Sequence, residues 1–315
     1  MSNLRRRAAW MTVPAAAALL LTACSNDAES ATPSSSTTST SVVAEQGDQL
    51  ESNKTIVTDF YELAFNSRQV QQAADRYIGD VYIQHNPTAA DGAAGFVSGI
   101  GGYVEATPGL HVEITRVFAE GDLVALQSHT TSAPGDRGQA VFDIFRVDNG
   151  KIVEHWDAIQ DVPETSANPN TMFDGPTSSP SKSSEVLERN TANALTFLQL
   201  AFNEGKAAEA ADQLVGPTYT QHNPSFADGK DAFVTALAGI EPVTGDKATK
   251  FPRTVAEGDF VFVQTFASSG GGTAGSGSMD IFRFDENGKI VEHWDAVQDY
   301  PSTTASGNTV WDDGR

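Results

Sequence analysis

The chain has 315 residues, 39% of them hydrophobic, with 41 acidic residues against 20 basic ones, a formal net charge of −21 and one cysteine. That apolar content suffices for a sizeable core. The acidity excludes partners held through their phosphates and adsorption to anionic lipid, both of which need a basic surface, and the cysteine count excludes an intrachain disulfide, a Cys-x-x-Cys redox motif and a thiolate cluster.

In chain order, Arg5-Arg6-Arg7 precedes an apolar run at 8–23 that is too short for a comfortable transmembrane span and closes on Leu21-Thr22-Ala23-Cys24. Residues 1–24 read as an export signal. The last four resemble a bacterial lipobox, which implies that Cys24 is lipidated and holds the rest of the chain at the outer face of the cytoplasmic membrane. Residues 25–50 are Ser, Thr, Ala and acid, too poor in large apolar groups to offset chain entropy, and are expected to be a disordered tether.

The remainder is a repeat. Asn-Gly-Lys-Ile-Val-Glu-His-Trp-Asp-Ala at 149–158 returns unchanged at 287–296, a shift of 138 positions. The two Ala-Phe-Asn runs at 64–66 and 201–203 are 137 apart, so one residue is inserted before the second Asn-Gly turn. The domains are placed at 51–175 and 185–315, with a polar linker at 176–184.

Each unit opens with a helix. In the first, Ser52 and Asn53 are candidate caps and Ile56, Phe60 and Leu63 recur at helical spacing. A short helix follows near 70–77 and 207–215, then Tyr-x-Gln-His-Asn-Pro at 82–87 and 219–224. Asp91-Gly92 and Asp228-Gly229 start a third helix. The period then changes to two, predicting strands near 111–119, 123–131, 140–147 and 152–160, with counterparts in the second unit. Asn-Gly predicts a tight hairpin before the last strand. On that strand Val153, His155, Asp157 and Ile159 share one face, and Ile152, Glu154, Trp156 and Ala158 share the other. The run at 270–277 reads as an elongated hairpin loop. Helices first and a strand meander after give an α+β class.

Gln-His-Asn-Pro, Ala-Glu-Gly-Asp at 119–122 and 256–259, Asp-Ile-Phe-Arg at 143–146 and 280–283 and Gly-Lys-Ile-Val-Glu-His-Trp-Asp together resemble the SnoaL-like polyketide cyclases. These belong to the nuclear-transport-factor-2-like (NTF2-like) superfamily, which includes ketosteroid isomerases. The resemblance covers nearly all of both repeats. It implies two tandem NTF2-like cones, each a curved antiparallel sheet closed by three helices around a mainly apolar pocket, with the two sheets packed on each other. Further pairing between chains is left open.

The family's chemistry is a cofactor-free aldol closure with an Asp as acid/base and a His on the neighbouring strand as helper. Carried over, these are Asp143 and His129. In the second repeat Asp280 is kept, but the place of His129 is taken by Phe266, so only repeat one retains the pair. His85, Asn86, His155 and Trp156, with His222, Asp280 and Trp294, are the candidate ligand-binding residues. His85 and His222 read equally well as turn residues beside Asn-Pro. No His-x-His or His-Glu-x-x-His spacing supports a metal site, and no cofactor motif is present. Two readings stand side by side: an exported enzyme for proton transfer on a small carbonyl compound, or a non-catalytic lipoprotein that binds a small hydrophobic ligand or a protein partner.

Overall fold

A computed structural model of the protein describes residues 37–271 and 274–312. The export signal and Cys24 lie outside the described residues, as does the tether to residue 36. No described helix is long and apolar enough to cross a membrane. Both repeats belong to one compact unit, Val43–Arg315.

Helix α1 runs Thr37–Tyr61, so it includes the second half of the stretch expected to be a tether. Its contribution to the core begins at Leu50 and continues through Val57, Phe60 and Tyr61, one stripe at helical spacing. Asn53 is not a cap: it sits buried in mid-helix and donates to the Gly121 carbonyl. The helix ends in a widened π turn, Glu62–Asn66. There Asn66 pairs with the Val112 backbone in both directions, at 2.9 Å each, which ties the helix to the first long strand. Asn203 repeats the device on Thr249.

Next come α2 (Val70–Tyr77), β1 (Ile78–Gln84), α3 (Gly92–Ala106), β2 (His111–Glu120), β3 (Leu123–Thr131), β4 (Gln139–Asp148) and β5 (Lys151–Asp161). The second unit repeats them as α4 (Ser184–Leu198), α5 (Ala207–Leu214), β6 (Val215–Gln221), α6 (Lys230–Ala236), β7 (Lys250–Glu257), β8 (Phe260–Gly271), β9 (Ala274–Phe284) and β10 (Ile290–Tyr300). Each sheet has five strands, ordered β1-β5-β4-β3-β2 and β6-β10-β9-β8-β7. The class is α+β with two tandem cones, as the motifs imply. The sheets are mixed, however: β1 and β6, which the periodicity did not reveal as strands, pair parallel with β5 and β10. Each is short, interrupted by a bulge and followed at once by the Asn-Pro turn.

Asp91 and Asp228 precede their helices but do not cap them. Each carboxylate accepts the backbone N–H of Gln84 or Gln221 at 2.8 Å, holding the turn that carries Gln-His-Asn-Pro. The duplicated Asn-Gly makes two different turns. Asn149 and Gly150 both take positive φ (50° and 76°), the two-residue hairpin expected. In repeat two the inserted residue leaves only Gly288 positive, and the Asp285 carboxylate accepts from Asn287 and Lys289 N–H. The run at 270–277 is mostly strand: β8 and β9 extend into it from both sides, and only 272–273 lie outside the described residues.

Four apolar clusters result among the described residues, the smallest being Phe266, Tyr300 and Val310 with Trp311 packed against them. One fills each cone between helices and sheet. The third lies between the two sheets, where Phe118, Phe142 and Trp156 meet Phe260, Phe262, Met279 and Trp294. Phe118 packs on Phe260 at 5.1 Å and Phe142 on Phe262 at 5.9 Å between ring centroids. The flanks are reciprocal: Glu257 accepts the Ala119 N–H and Glu120 accepts the Ala256 N–H, at 2.7 and 2.8 Å.

Candidate functional site

Strand parity decides which side chains reach the cone interior. On β4, Val141, Asp143 and Phe145 face the cavity, while Phe142 and Ile144 face the other sheet. On β5, His155, Asp157 and Ile159 face the cavity, and Trp156 and Ala158 face away. Antiparallel register sets Asp143 directly opposite Asp157, so two carboxylates share one floor. The cavity above them measures about 350 Å³ and is walled by Phe60, Tyr61, Phe65, Tyr82, Phe96 and Ile100.

His155 Nε2 lies 2.9 Å from Asp143 Oδ1, and its Nδ1 lies 2.8 Å from Gln84 Oε1. That Gln84 oxygen also accepts the Asn86 N–H at 2.8 Å, which fixes the amide's orientation. Both ring nitrogens therefore face acceptors, and the imidazole carries two protons when Asp143 is ionised. Burial opposes that charge, but the Asp143 hydrogen bond and the Asp157 and Asp143 charges outweigh it and raise the His155 pKa. Burial pushes the Asp157 carboxyl up to about 6, against the pull of His155. Burial likewise holds the Tyr61 phenol well above its ordinary value, and the neighbouring Asp143 charge adds to it.

The floor is incompletely satisfied. Asp157 Oδ2 accepts from Asn86 Nδ2 at 2.6 Å, but Asp157 Oδ1 and Asp143 Oδ2 accept no hydrogen bond of normal geometry among the described residues, with the Tyr61 phenol the donor that lies near Asp143. Two open carboxylate oxygens in an aromatic cavity form a site for removing and returning a proton. Asp143, His155 and Asp157 also present three donor atoms within 4.8 Å of one another, as do Asp280, His293 and Asp295, wide enough for a divalent cation. A cation would have to displace the His155–Asp143 bond.

His129, expected beside Asp143, is elsewhere. It sits at an odd position of β3, where Ala125 faces the other sheet, whereas Thr130 faces the cavity. Its ring stacks on Phe173 at 4.2 Å and Nε2 meets the Arg137 carbonyl. Phe266 stacks likewise in repeat two, on Trp311 at 5.7 Å, without the carbonyl contact. The position holds an aromatic platform for the segment that follows each repeat, and Phe serves there as well as His. The histidine that meets Asp143 comes from β5.

Trp156 and Trp294 lie outside the cavities, on the sheet-to-sheet face. Their Nε1 atoms donate to the Asp312 and Asp174 carbonyls, and Arg253 and Arg116 cover their rings at 3.6 and 4.1 Å. Desolvation lowers the Arg116 pKa to about 10. His85 and His222 stack on those tryptophans and bridge Glu154 or Glu292 to the carbonyls of Thr309 or Thr171. They are turn residues. Asn86 does line the cavity. Tyr61, Gln84 and Asp157 were missed as site residues; the parity shared by His155 and Asp157 was the one available signal.

Residues 163–174 and 301–312 cross between repeats. Asn168 and Asn170 bond the Asn223 and Gln221 carbonyls, while Ser306 and Asn308 bond the Gln84 carbonyl. The turn presenting each cavity Gln is thus pinned by the segment that follows the other repeat.

Repeat two builds the same floor from Asp280, His293 and Asp295, with Gln221 and Asn223 in support, at the same 2.9 Å between His293 and Asp280. Its cavity is smaller, about 240 Å³.

Among curated proteins none matches the chain. Solved structures each match about one repeat. A provisionally named polyketide cyclase from Bacillus cereus is 19% identical, covering 35% of this chain and 74% of its own, with a TM-score of 0.31. TsrD from Streptomyces laurentii is 20% identical over 35% and 89%, TM-score 0.31. IdmH from Streptomyces antibioticus, also provisionally named a polyketide cyclase, is 22% identical over 34% and 91%, TM-score 0.30. A family model described as "SnoaL-like domain" matches residues 57–155 and again 194–293, well over half the chain. The chain therefore belongs to the SnoaL-like family and carries its domain twice.

Proposed function

We propose that repeat one is a cofactor-free acid/base site acting on a small, mainly apolar carbonyl compound, by aldol cyclisation or isomerisation. The observation that carries this is the pair of buried carboxylate oxygens without partners, Asp143 Oδ2 and Asp157 Oδ1, at the floor of an aromatic cavity. In this reading Asp143 Oδ2 removes the proton next to the carbonyl, while His155 holds Oδ1 and keeps the carboxylate aligned. Tyr61 stays a neutral donor and stabilises the enolate oxygen. The enolate carbon then attacks a second carbonyl of the same molecule, or takes the proton back at another carbon, and Asp143 returns the proton in either case. Asp157, near half-protonated at about pH 6, binds or relays a substrate hydroxyl.

The protein is further proposed to be exported and anchored by lipid on Cys24, from the Leu-Thr-Ala-Cys sequence after the basic and apolar run. Fatty-acid labelling that disappears in Cys24→Ala is the expected result.

The test of the chemistry is turnover and ligand-dependent thermal shift against aromatic polyketide, steroid and small keto compounds. Asp143→Asn is expected to reduce turnover ~10²–10⁴-fold while binding persists. Stabilisation with no turnover in the wild type would favour a binding lipoprotein, the second reading, for which repeat two gives a specific reason.

A further inference from the structure

The two cavities share a floor but differ at three places that touch it. Leu198 stands where repeat one has Tyr61, Ser278 where it has Val141, and Thr265 where it has Ser128. Leu198 removes the phenol donor. The Ser278 hydroxyl donates to Asp280 Oδ2 at 2.6 Å and is itself held 2.8 Å from Thr265 Oγ1. With His293 on Oδ1, both Asp280 oxygens are occupied, whereas Asp143 keeps one open and the Ser128 hydroxyl, facing Val141, has no partner among the described residues. One polar atom of the repeat-two carboxylates then remains available: Asp295 Oδ1, buried and without a hydrogen-bond partner among the described residues. The apolar walls of the cavity are Phe197, Phe202, Phe226, Phe233 and Leu198, and Thr249 and Ser276 also line it.

We propose that repeat two is a non-reacting binding pocket for a compact aromatic alcohol, whose hydroxyl donates to Asp295 Oδ1 while its ring fills the phenylalanine cage. A buried carboxylate oxygen without a partner selects a ligand that brings a donor to it over one that brings a carbonyl, because the carbonyl would leave the carboxylate unpaired. At pH 8, above the value of about 6 to which burial raises Asp295, the ionised carboxylate carries no proton with which to activate a carbonyl. The assignment rests on the acid/base reading of repeat one only in calling repeat two non-reacting; the donor preference stands on its own geometry.

The test is calorimetry of the full chain at pH 8 with 2-naphthol, a donor, and 2-acetonaphthone, an acceptor of similar size. The wild type is expected to bind two equivalents of 2-naphthol. In Asp295→Asn, Asn223 Nδ2 still donates, now to the amide oxygen, which turns the amide NH₂ into the open position. That variant should lose one 2-naphthol equivalent, or weaken it at least tenfold, and gain one of 2-acetonaphthone. Phe233→Trp, which fills the cage without touching the carboxylate, should remove one equivalent of 2-naphthol from the wild-type count. A single wild-type equivalent unaffected by either variant would overturn the pocket, and an unchanged donor preference in Asp295→Asn would overturn the role of Asp295. Absence of turnover in repeat one would leave these binding counts untouched, so the two failures are distinguishable.

Discussion

Asp157 shows how one side chain's surroundings set its chemistry. Its carboxyl titrates from 3.8 in the open chain to about 6 when buried. The folded state therefore holds the proton more tightly, and the contribution of Asp157 to stability falls as pH rises from about 4 to about 6. Replacing it with Asn removes that penalty. Asp157→Asn is expected to match the wild type in denaturant unfolding at pH 4 and to exceed it at pH 8 by about 1–3 kcal/mol, the scale of a two-unit shift. Loss of stability at pH 8 instead would mean that Asp157 chiefly serves to hold His155. At this scale the sequence was half legible. Asp143 stood out through Asp-Ile-Phe-Arg, and its carboxylate faces the cavity. The family pattern points to the adjacent strand, β3, for its histidine neighbour, and carrying over a pattern leaves strand parity unread. His155, on the strand bonded to the other side of β4, was named as a ligand contact, and the charge coupling to Asp143 emerges only from the register that sets β5 beside β4. Tyr61 was invisible: on a helix stripe, a tyrosine that meets a carboxylate looks like any core aromatic.

Strands and turns explain that error and make it testable. Position 129 belongs to the aromatic platform under the segment around Phe173, as Phe266 does under Trp311. His129→Phe is therefore expected to leave turnover within about twofold, while His129→Ala costs about 0.5–1.5 kcal/mol of stability, the value of one aromatic pair. A large loss of turnover in His129→Phe, measured beside unchanged unfolding, would return the residue to the chemistry. The Asn-Gly turns teach a related lesson. Ten identical residues make a two-residue hairpin in one repeat and an Asp285-held turn in the other, because one residue added upstream changes which backbone groups meet. Helix–strand order and domain duplication were legible because they repeat. The parallel β1 and β6 were not: their pairing is long-range, and a short bulged strand lacks a clean alternation.

For the molecule as a whole, the sheet-to-sheet core and the crossing segments act together. Residues 301–312 place Thr309, Val310 and Asp312 carbonyls on His85, Gln264 and Trp156, and Ser306 and Asn308 on Gln84. Ending the chain after Tyr300 removes the bonds to His85, Gln84 and Trp156 from repeat one and those to Gln264 and Arg253 from the sheet of repeat two, while leaving Asn168, Asn170 and Thr171 on the turn that carries the repeat-two cavity residues. Such a truncation is expected to cost about 3–5 kcal/mol, comparable to losing one large buried aromatic, and to abolish ligand stabilisation in repeat one ahead of repeat two. Scanning calorimetry with and without 2-naphthol checks both parts. Equal loss in the two cavities would show that the segment braces the sheets and has no particular hold on Gln84.

The reciprocal grip of these segments has a consequence for how the two halves can differ. Two separate copies clasped in this way would meet only as often as concentration allowed, and any substitution would appear in both at once. Joined in one chain, the halves meet at an effective concentration on the order of millimolar whatever the dilution, and each is free to drift alone. Tyr61 in one half where the other has Leu198, and Val141 where the other has Ser278, are what that freedom looks like: a symmetric frame holding two unlike rooms.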